Sequence, residues 1–185
     1  QGPAQVWRAA DGRNWSQVTP SWVSANGSLM DLTTFGAYLY AGTSNASGGE
    51  LWRSDGNAWE QVASGGFNDA TNTSLEHLAA FENMLYAATG NSSGISQIWR
   101  SPTGAAGSWE KVKDDLGGVM QAFNGYLYVG GSRNGKAELW RSDDGASWAP
   151  VFSDGLGDEN THVAALAEFK GELYIGLRNT STSGQ

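Results

Sequence analysis

Apolar and polar residues alternate along most of this chain in short runs broken by glycine-containing turns, which is the period of half-buried strands. One motif recurs without a gap as Phe35-Gly-Ala-Tyr-Leu-Tyr, Phe81-Glu-Asn-Met-Leu-Tyr, Phe123-Asn-Gly-Tyr-Leu-Tyr and Phe169-Lys-Gly-Glu-Leu-Tyr. Connections such as Asn124-Gly125 and Lys170-Gly171 predict tight hairpins, because these residues accept the positive φ that such turns need. A second motif alternates with the first. Trp7-Arg8, Trp52-Arg53, Trp99-Arg100 and Trp140-Arg141 each lead into a turn that ends on another tryptophan: Trp15, Trp59, Trp109 and Trp148. No segment carries an apolar stripe of helical period.

The motif tyrosines fall at positions 40, 86, 128 and 174, and the first tryptophans at 7, 52, 99 and 140. A repeat of about 40–47 residues holding four strand-length pieces predicts the blade of a β-propeller. The fold class expected is therefore all-β, a single propeller domain over residues 1–185 with four-stranded antiparallel blades, four to the chain. Blades are expected at 29–62, 75–112 and 117–151, and a shared one from 6–18 with 163–177. Its inner strands A and B come from the C-terminal end and its outer strands C and D from the N-terminal end. Pairing them would close a ring and remove two exposed strand edges. The ring would be a four-bladed monomer or an eight-bladed homodimer.

Each Trp-Arg turn has a physical task. Asp11, Asp55 and Asp144 can accept backbone N–H groups of their own turn, with a glycine following for positive φ. The turn Ser142-Asp-Asp-Gly-Ala-Ser-Trp148 resembles the Asp-box of bacterial neuraminidase-type repeats, Ser-x-Asp-x-Gly-x-Thr-Trp. It departs from that box by being one or two residues shorter, and the copy at 101–109 lacks the Asp. The resemblance covers about ten residues per repeat and implies a β-propeller. It implies an activity hardly at all, since the box is a structural fastener. Sialidases of this type use an arginine cluster, a Tyr–Glu pair and an Asp acid. Here Arg8, Arg53, Arg100 and Arg141 are repeat-equivalent, which fits a packing role.

Net charge is −8, so nucleic acid and anionic membranes are disfavoured as partners. Cysteine is absent, which excludes disulfides and thiolate chemistry. An apolar run long enough to span a bilayer is absent as well, and an extracellular or bacterial-envelope location is the expectation. His77 and His162 are not repeat-equivalent and do not form a metal pair. Acidic residues gather at Asp114-Asp115 and Asp158-Glu159.

Between strand D of one blade and strand A of the next, loop length varies, and the third such loop is shortest, at Lys113-Asp114-Asp115. Variation at a fixed place in a repeat marks a functional face. Asn26, Asn72, Asp114 and Asn160 each lie nine residues before the strand-A phenylalanine. They are expected either to cap their own loops or to ring one mouth of the channel. In a ring their oxygens would hold a ligand or Ca²⁺; no other cofactor is expected. With Trp22 and Phe67 as an aromatic platform, this face reads as a site for a glycan or a protein. The expectation is a non-catalytic, lectin-like binding or scaffold propeller and not an enzyme. The alternatives are part of a sialidase-like glycoside hydrolase, or an excised or engineered ring segment without activity of its own.

Overall fold

The structure is a computed structural model and describes residues 2–19, 22, 26–157 and 159–179. Its strands are β1 (Trp7–Arg8), β2 (Ser16–Gln17), β3 (Ser28–Phe35), β4 (Tyr38–Ser44), β5 (Leu51–Ser54), β6 (Trp59–Ala63), β7 (Asn72–Phe81) and β8 (Met84–Asn91). They continue with β9 (Gln97–Ser101), β10 (Glu110–Asp114), β11 (Val119–Phe123), β12 (Tyr126–Arg133), β13 (Lys136–Ser142), β14 (Ala149–Phe152), β15 (Asn160–Phe169) and β16 (Glu172–Asn179). The molecule is all-β and propeller-like, apart from one helical turn, α1 (Gly65–Asn68).

Three antiparallel four-stranded blades follow in order: β3–β6, β7–β10 and β11–β14. The first two touch edge to edge through the bridge Ser44↔Ser74. Before them β1 pairs with β2, and after them β15 pairs with β16. Among the described residues, β16 does not pair with β1, the contact that would close the ring. Each end hairpin is instead packed on its own neighbour. Val6 and Val18 join Trp22, Trp52 and Trp59 beside the first blade, and β15 lies along β11, β12 and β13.

Within the blades the same register recurs because the same residues recur. Tyr40 faces Arg53, Tyr86 faces Arg100, and Tyr128 faces Arg141 across the second and third strands. The hairpin residues Asn124 and Gly125 hold φ of 48° and 77°, and Lys170 and Gly171 hold 53° and 77°, as type I′ turns require.

The core lies between blades rather than within one. Tyr40, Leu51, Leu75, Leu78 and Leu85 fill the first junction, and Tyr86, Ile98, Met120, Leu127 and Val129 the second. Each junction has a peg and a seat. The Tyr40 hydroxyl donates to the Thr103 carbonyl at 3.2 Å and lies where a Cβ on Gly104 would stand, 2.0 Å from that position. The Tyr86 hydroxyl likewise lies 1.7 Å from the place of a Cβ on Gly145, although it makes no hydrogen bond to that turn. Arginines brace the same turns: Arg8 donates to the Gly56 carbonyl at 2.8 Å and Arg100 to that of Asp144 at 3.1 Å. Arg8 and Arg100 therefore hold neighbouring blades together, while Arg53 pairs with Glu60 and Arg141 lies over Tyr126 within their own blades.

Asp11, Asp55 and Asp144 each accept two backbone N–H groups of their own turns. Those bonds favour the charged carboxylate and hold all three below the usual range, Asp11 at about 2. A depressed folded pKa contributes stability that is complete above the unfolded value of about 4 and is lost as pH falls through the folded one. Acid titration monitored by tryptophan fluorescence should therefore show stability falling between about pH 4 and pH 2. The triple variant Asp11→Asn, Asp55→Asn, Asp144→Asn should show a flatter profile there; an unchanged slope would assign the acid sensitivity elsewhere.

Candidate functional site

The loop face is organised by a polar network repeated in the blades. Asn26 donates to Glu50 at 2.7 Å, while its own oxygen accepts from Thr43 and Asn45 at 3.1 and 3.0 Å. Asn72 donates to Gln97 and to the Gly66 carbonyl, both at 2.8 Å, and accepts from Thr89 and Asn91. Glu50 and Gln97 in turn accept the indole N–H of Trp52 and Trp99. Both asparagines are fully buried. The expected ring of ligand or Ca²⁺ donors is thus corrected at these positions: their amides strut the interior of their own blades. Asn160 follows the pattern in part, donating to the Gly155 carbonyl at 2.9 Å and accepting from Asn179 at 3.3 Å.

Trp22 and Phe67 are not an open platform either. Both are nearly buried and act as lids on the strand tryptophans. Trp22 meets Trp52 edge-on at 6.1 Å, and Phe67 stacks on Trp99 at 4.6 Å and 11°. To reach that position the chain runs through α1 with φ of 55° to 65° at four consecutive residues, Phe67 included. A left-handed phenylalanine costs about 1–2 kcal/mol, which the stacked contact offsets.

The third blade breaks this network. Its equivalent of Asn26 is Asp114, which accepts from Lys111 at 2.8 Å instead of turning inward. The shortened loop lets Lys113 cover Trp140, its ammonium 5.6 Å from the ring. Glu138, the counterpart of Glu50 and Gln97, still accepts the Trp140 indole at 2.8 Å. With no asparagine plug above it, a cleft of about 300 Å³ opens. Glu76, Ser96, Asp115, Arg133, Glu138 and His162 line it.

The register of β7 shifts between Leu75 and His77, and Glu76 is the extra residue of that bulge. Bulges re-aim side chains at sheet rims, and this one places the Glu76 carboxylate over Gly90, with the Ser74 hydroxyl at 3.3 Å. Arg133 pairs with Asp115 at the lip. His162 titrates below its usual range because it is partly desolvated and faces Arg178, an effect Glu76 opposes. It therefore presents a neutral imidazole at neutral pH. The cleft offers carboxylates and small hydroxyls with one arginine already paired, which suits a neutral, hydroxyl-rich ligand better than an anion.

Of the residues singled out from sequence, Asp114 and Asp115 lie beside this cleft, while Asn26, Asn72, Trp22 and Phe67 are interior. Glu159 lies within 3.5 Å of Lys136, and Asp158 is outside the described residues. Glu76 and Arg133 were not signalled by motif spacing, whereas Glu138 stands two residues before Trp140 as Glu50 and Gln97 stand before Trp52 and Trp99. His77 lies apart, 3.7 Å from Asp31 at the first inter-blade junction. Among the described residues, no cluster of three or more His, Asp or Glu forms a metal site.

No protein-family model matches the sequence, and no curated protein matches it. Among solved structures it is similar to an α-L-arabinofuranosidase, CtGH43, from Clostridium thermocellum. The TM-score is 0.53 and the identity 18%, over 95% of this chain and 71% of that one. That enzyme belongs to a five-bladed propeller family, and the likeness supports the propeller-like fold.

Proposed function

We propose that this chain is a carbohydrate-binding propeller of four blade equivalents, and that a neutral sugar or sugar terminus occupies the cleft at the third blade. One observation carries the reading: the cleft opens where the buried asparagine network is interrupted, and it gathers the carboxylates of Glu76, Asp115 and Glu138 in one lining. Its volume is at the small end of ligand sites. Carboxylates that accept from vicinal hydroxyls, as Glu76 and Asp115 would, are suited to such a ligand. The acidic lining and the single paired arginine speak against a sialic acid carboxylate.

The test is calorimetric titration with neutral pentoses, hexoses and their short oligomers. Asp115→Asn and Glu138→Gln should each weaken binding by about tenfold or more, equivalent to about 1.4 kcal/mol for a lost charge-assisted bond. Glu138→Gln should leave the fold intact, because Gln97 fills the same role in the second blade. If no neutral saccharide binds at millimolar concentration, the reading fails. A second reading, glycoside hydrolysis, is favoured by the several carboxylates in one cleft and by the structural likeness to a glycosidase. Release of nitrophenol from neutral nitrophenyl glycosides, abolished by Glu76→Gln, would select it.

A further inference from the structure

Four tyrosines and four turn glycines occupy equivalent places in the repeat, yet only two pairs are seated. Tyr40 stands against Gly104 and Tyr86 against Gly145, while a Cβ on Gly12 or Gly56 would meet nothing within 4 Å. Tyr128 and Tyr174 are the two left over, and Tyr174 is 50% exposed. Beside Gly56 lies an apolar cavity of about 470 Å³ lined by Leu32 and Leu39. These are the counterparts of Leu78 and Leu85, which pack around Tyr40. The cavity therefore has the walls of a tyrosine seat, and Arg8 already braces the Gly56 turn as Arg100 braces that of Asp144.

A second unmatched pair points the same way. The loops before the first and second blades lay Trp22 on Trp52 and Phe67 on Trp99. The loop before β15 offers Leu156 at φ 60°, like Phe67 at 62°, but it is 53% exposed. The tryptophan without a lid is Trp7, 49% exposed. The strand edges agree as well, since among the described residues β1 pairs with β2 alone and β16 with β15 alone.

We propose that this face receives the β15–β16 hairpin of a second copy of the chain, head to tail. Tyr174 of one copy enters the Gly56 seat of the other, Leu156 covers Trp7, and Tyr128 meets the Gly12 turn. The register follows from the complete blades, in which Leu39, Leu85 and Leu127 face Ser54, Ser101 and Ser142. It pairs Leu173 with Ala9, and Tyr174 with Arg8. The occupant is another copy because, in the structure, both hairpins of one chain are already packed on opposite end blades and do not meet. Each chain thus carries a donor end and a receptor end, and a heterologous contact of this kind closes into a ring when its rotation returns to the start and grows into a filament when it does not. The assembly does not depend on what the cleft binds.

The chain has no cysteine, so introduced thiols report cleanly. Antiparallel partners lie about 4.5–5.5 Å apart at Cα, within disulfide range. Ala9→Cys chains mixed with Leu173→Cys chains should oxidise to a covalent dimer, and the unmodified protein should scatter light at two or more times 19.6 kDa. Tyr174→Arg should return it to a single-chain mass with an unchanged strand signal by circular dichroism. A disulfide formed only inside the doubly substituted chain at 19.6 kDa would overturn the proposal in favour of self-closure. Thiols that stay free in an unmodified protein of single-chain mass would overturn it too.

Discussion

Asn72→Ala should lower the unfolding free energy by about 3–5 kcal/mol, measured by urea denaturation, although the residue touches no ligand. Its side chain is fully buried, and all four of its hydrogen bonds stay within the protein. Removing it leaves the Gly66 carbonyl, the Thr89 hydroxyl and the Asn91 amide short of a partner at once. Each buried polar group left unpaired costs about 1–3 kcal/mol, and linked bonds weaken together. Asn72→Asp should be worse at neutral pH, because a carboxylate would face the Gly66 carbonyl and the Gln97 oxygen, both acceptors. Asn160→Ala supplies the contrast. It is only half-buried, one of its bonds is long at 3.3 Å, and its loss should cost about 1 kcal/mol. Equal losses at the two sites would show that the network is not what the asparagines contribute.

Gly145→Ala should lower the unfolding free energy by about 2–5 kcal/mol. Two causes add. The residue holds φ of 67°, where an L side chain costs about 1–2 kcal/mol. The new Cβ would also fall 1.7 Å from the Tyr86 hydroxyl, and overpacking a fitted joint costs about 1–3 kcal/mol. Gly12→Ala separates the causes, since Gly12 holds φ of 68° in the equivalent turn with nothing within 4 Å. Measured on dilute chain, it should show the backbone cost alone. If the two glycines behave alike, the tyrosine seats do not hold the blades.

Much of this architecture was legible in the sequence because the devices that build it are local. Type I′ hairpins announce themselves as Asn124-Gly125, and the Asp144 turn closes within four residues of itself. The register of Tyr-Leu-Tyr against Leu-Trp-Arg follows from two short motifs that always occur in order. The direction of a side chain across blades is not local, and there the reading went astray. The nine-residue spacing from Asn26 to Phe35 locates the asparagine in its loop. It carries no sign that Thr43 and Glu50, from two other strands, converge on it. Trp22 and Phe67 misled for the same reason: a loop aromatic that covers an indole looks in sequence like one that faces solvent. The cleft was half legible. Its short loop, 113–115, stood out by length, but Glu76 reaches it through a bulge, which breaks the alternation by which strand faces are read. Glu138 could have been found as the third member of the series Glu50, Gln97, Glu138, two residues before each tryptophan.

The tyrosine seat has a consequence for how such a chain can be cut and rejoined. Both seated tyrosines look forward to the turn of the following blade, Tyr40 to Gly104 and Tyr86 to Gly145, so the joint has a polarity but no address. It specifies which neighbour comes next and says nothing about where the polypeptide begins. A gene opened at another of the inter-blade loops would therefore keep the same succession of contacts. Blades built on such a joint can be duplicated, lost or shuffled with little change to the grammar that holds them in line.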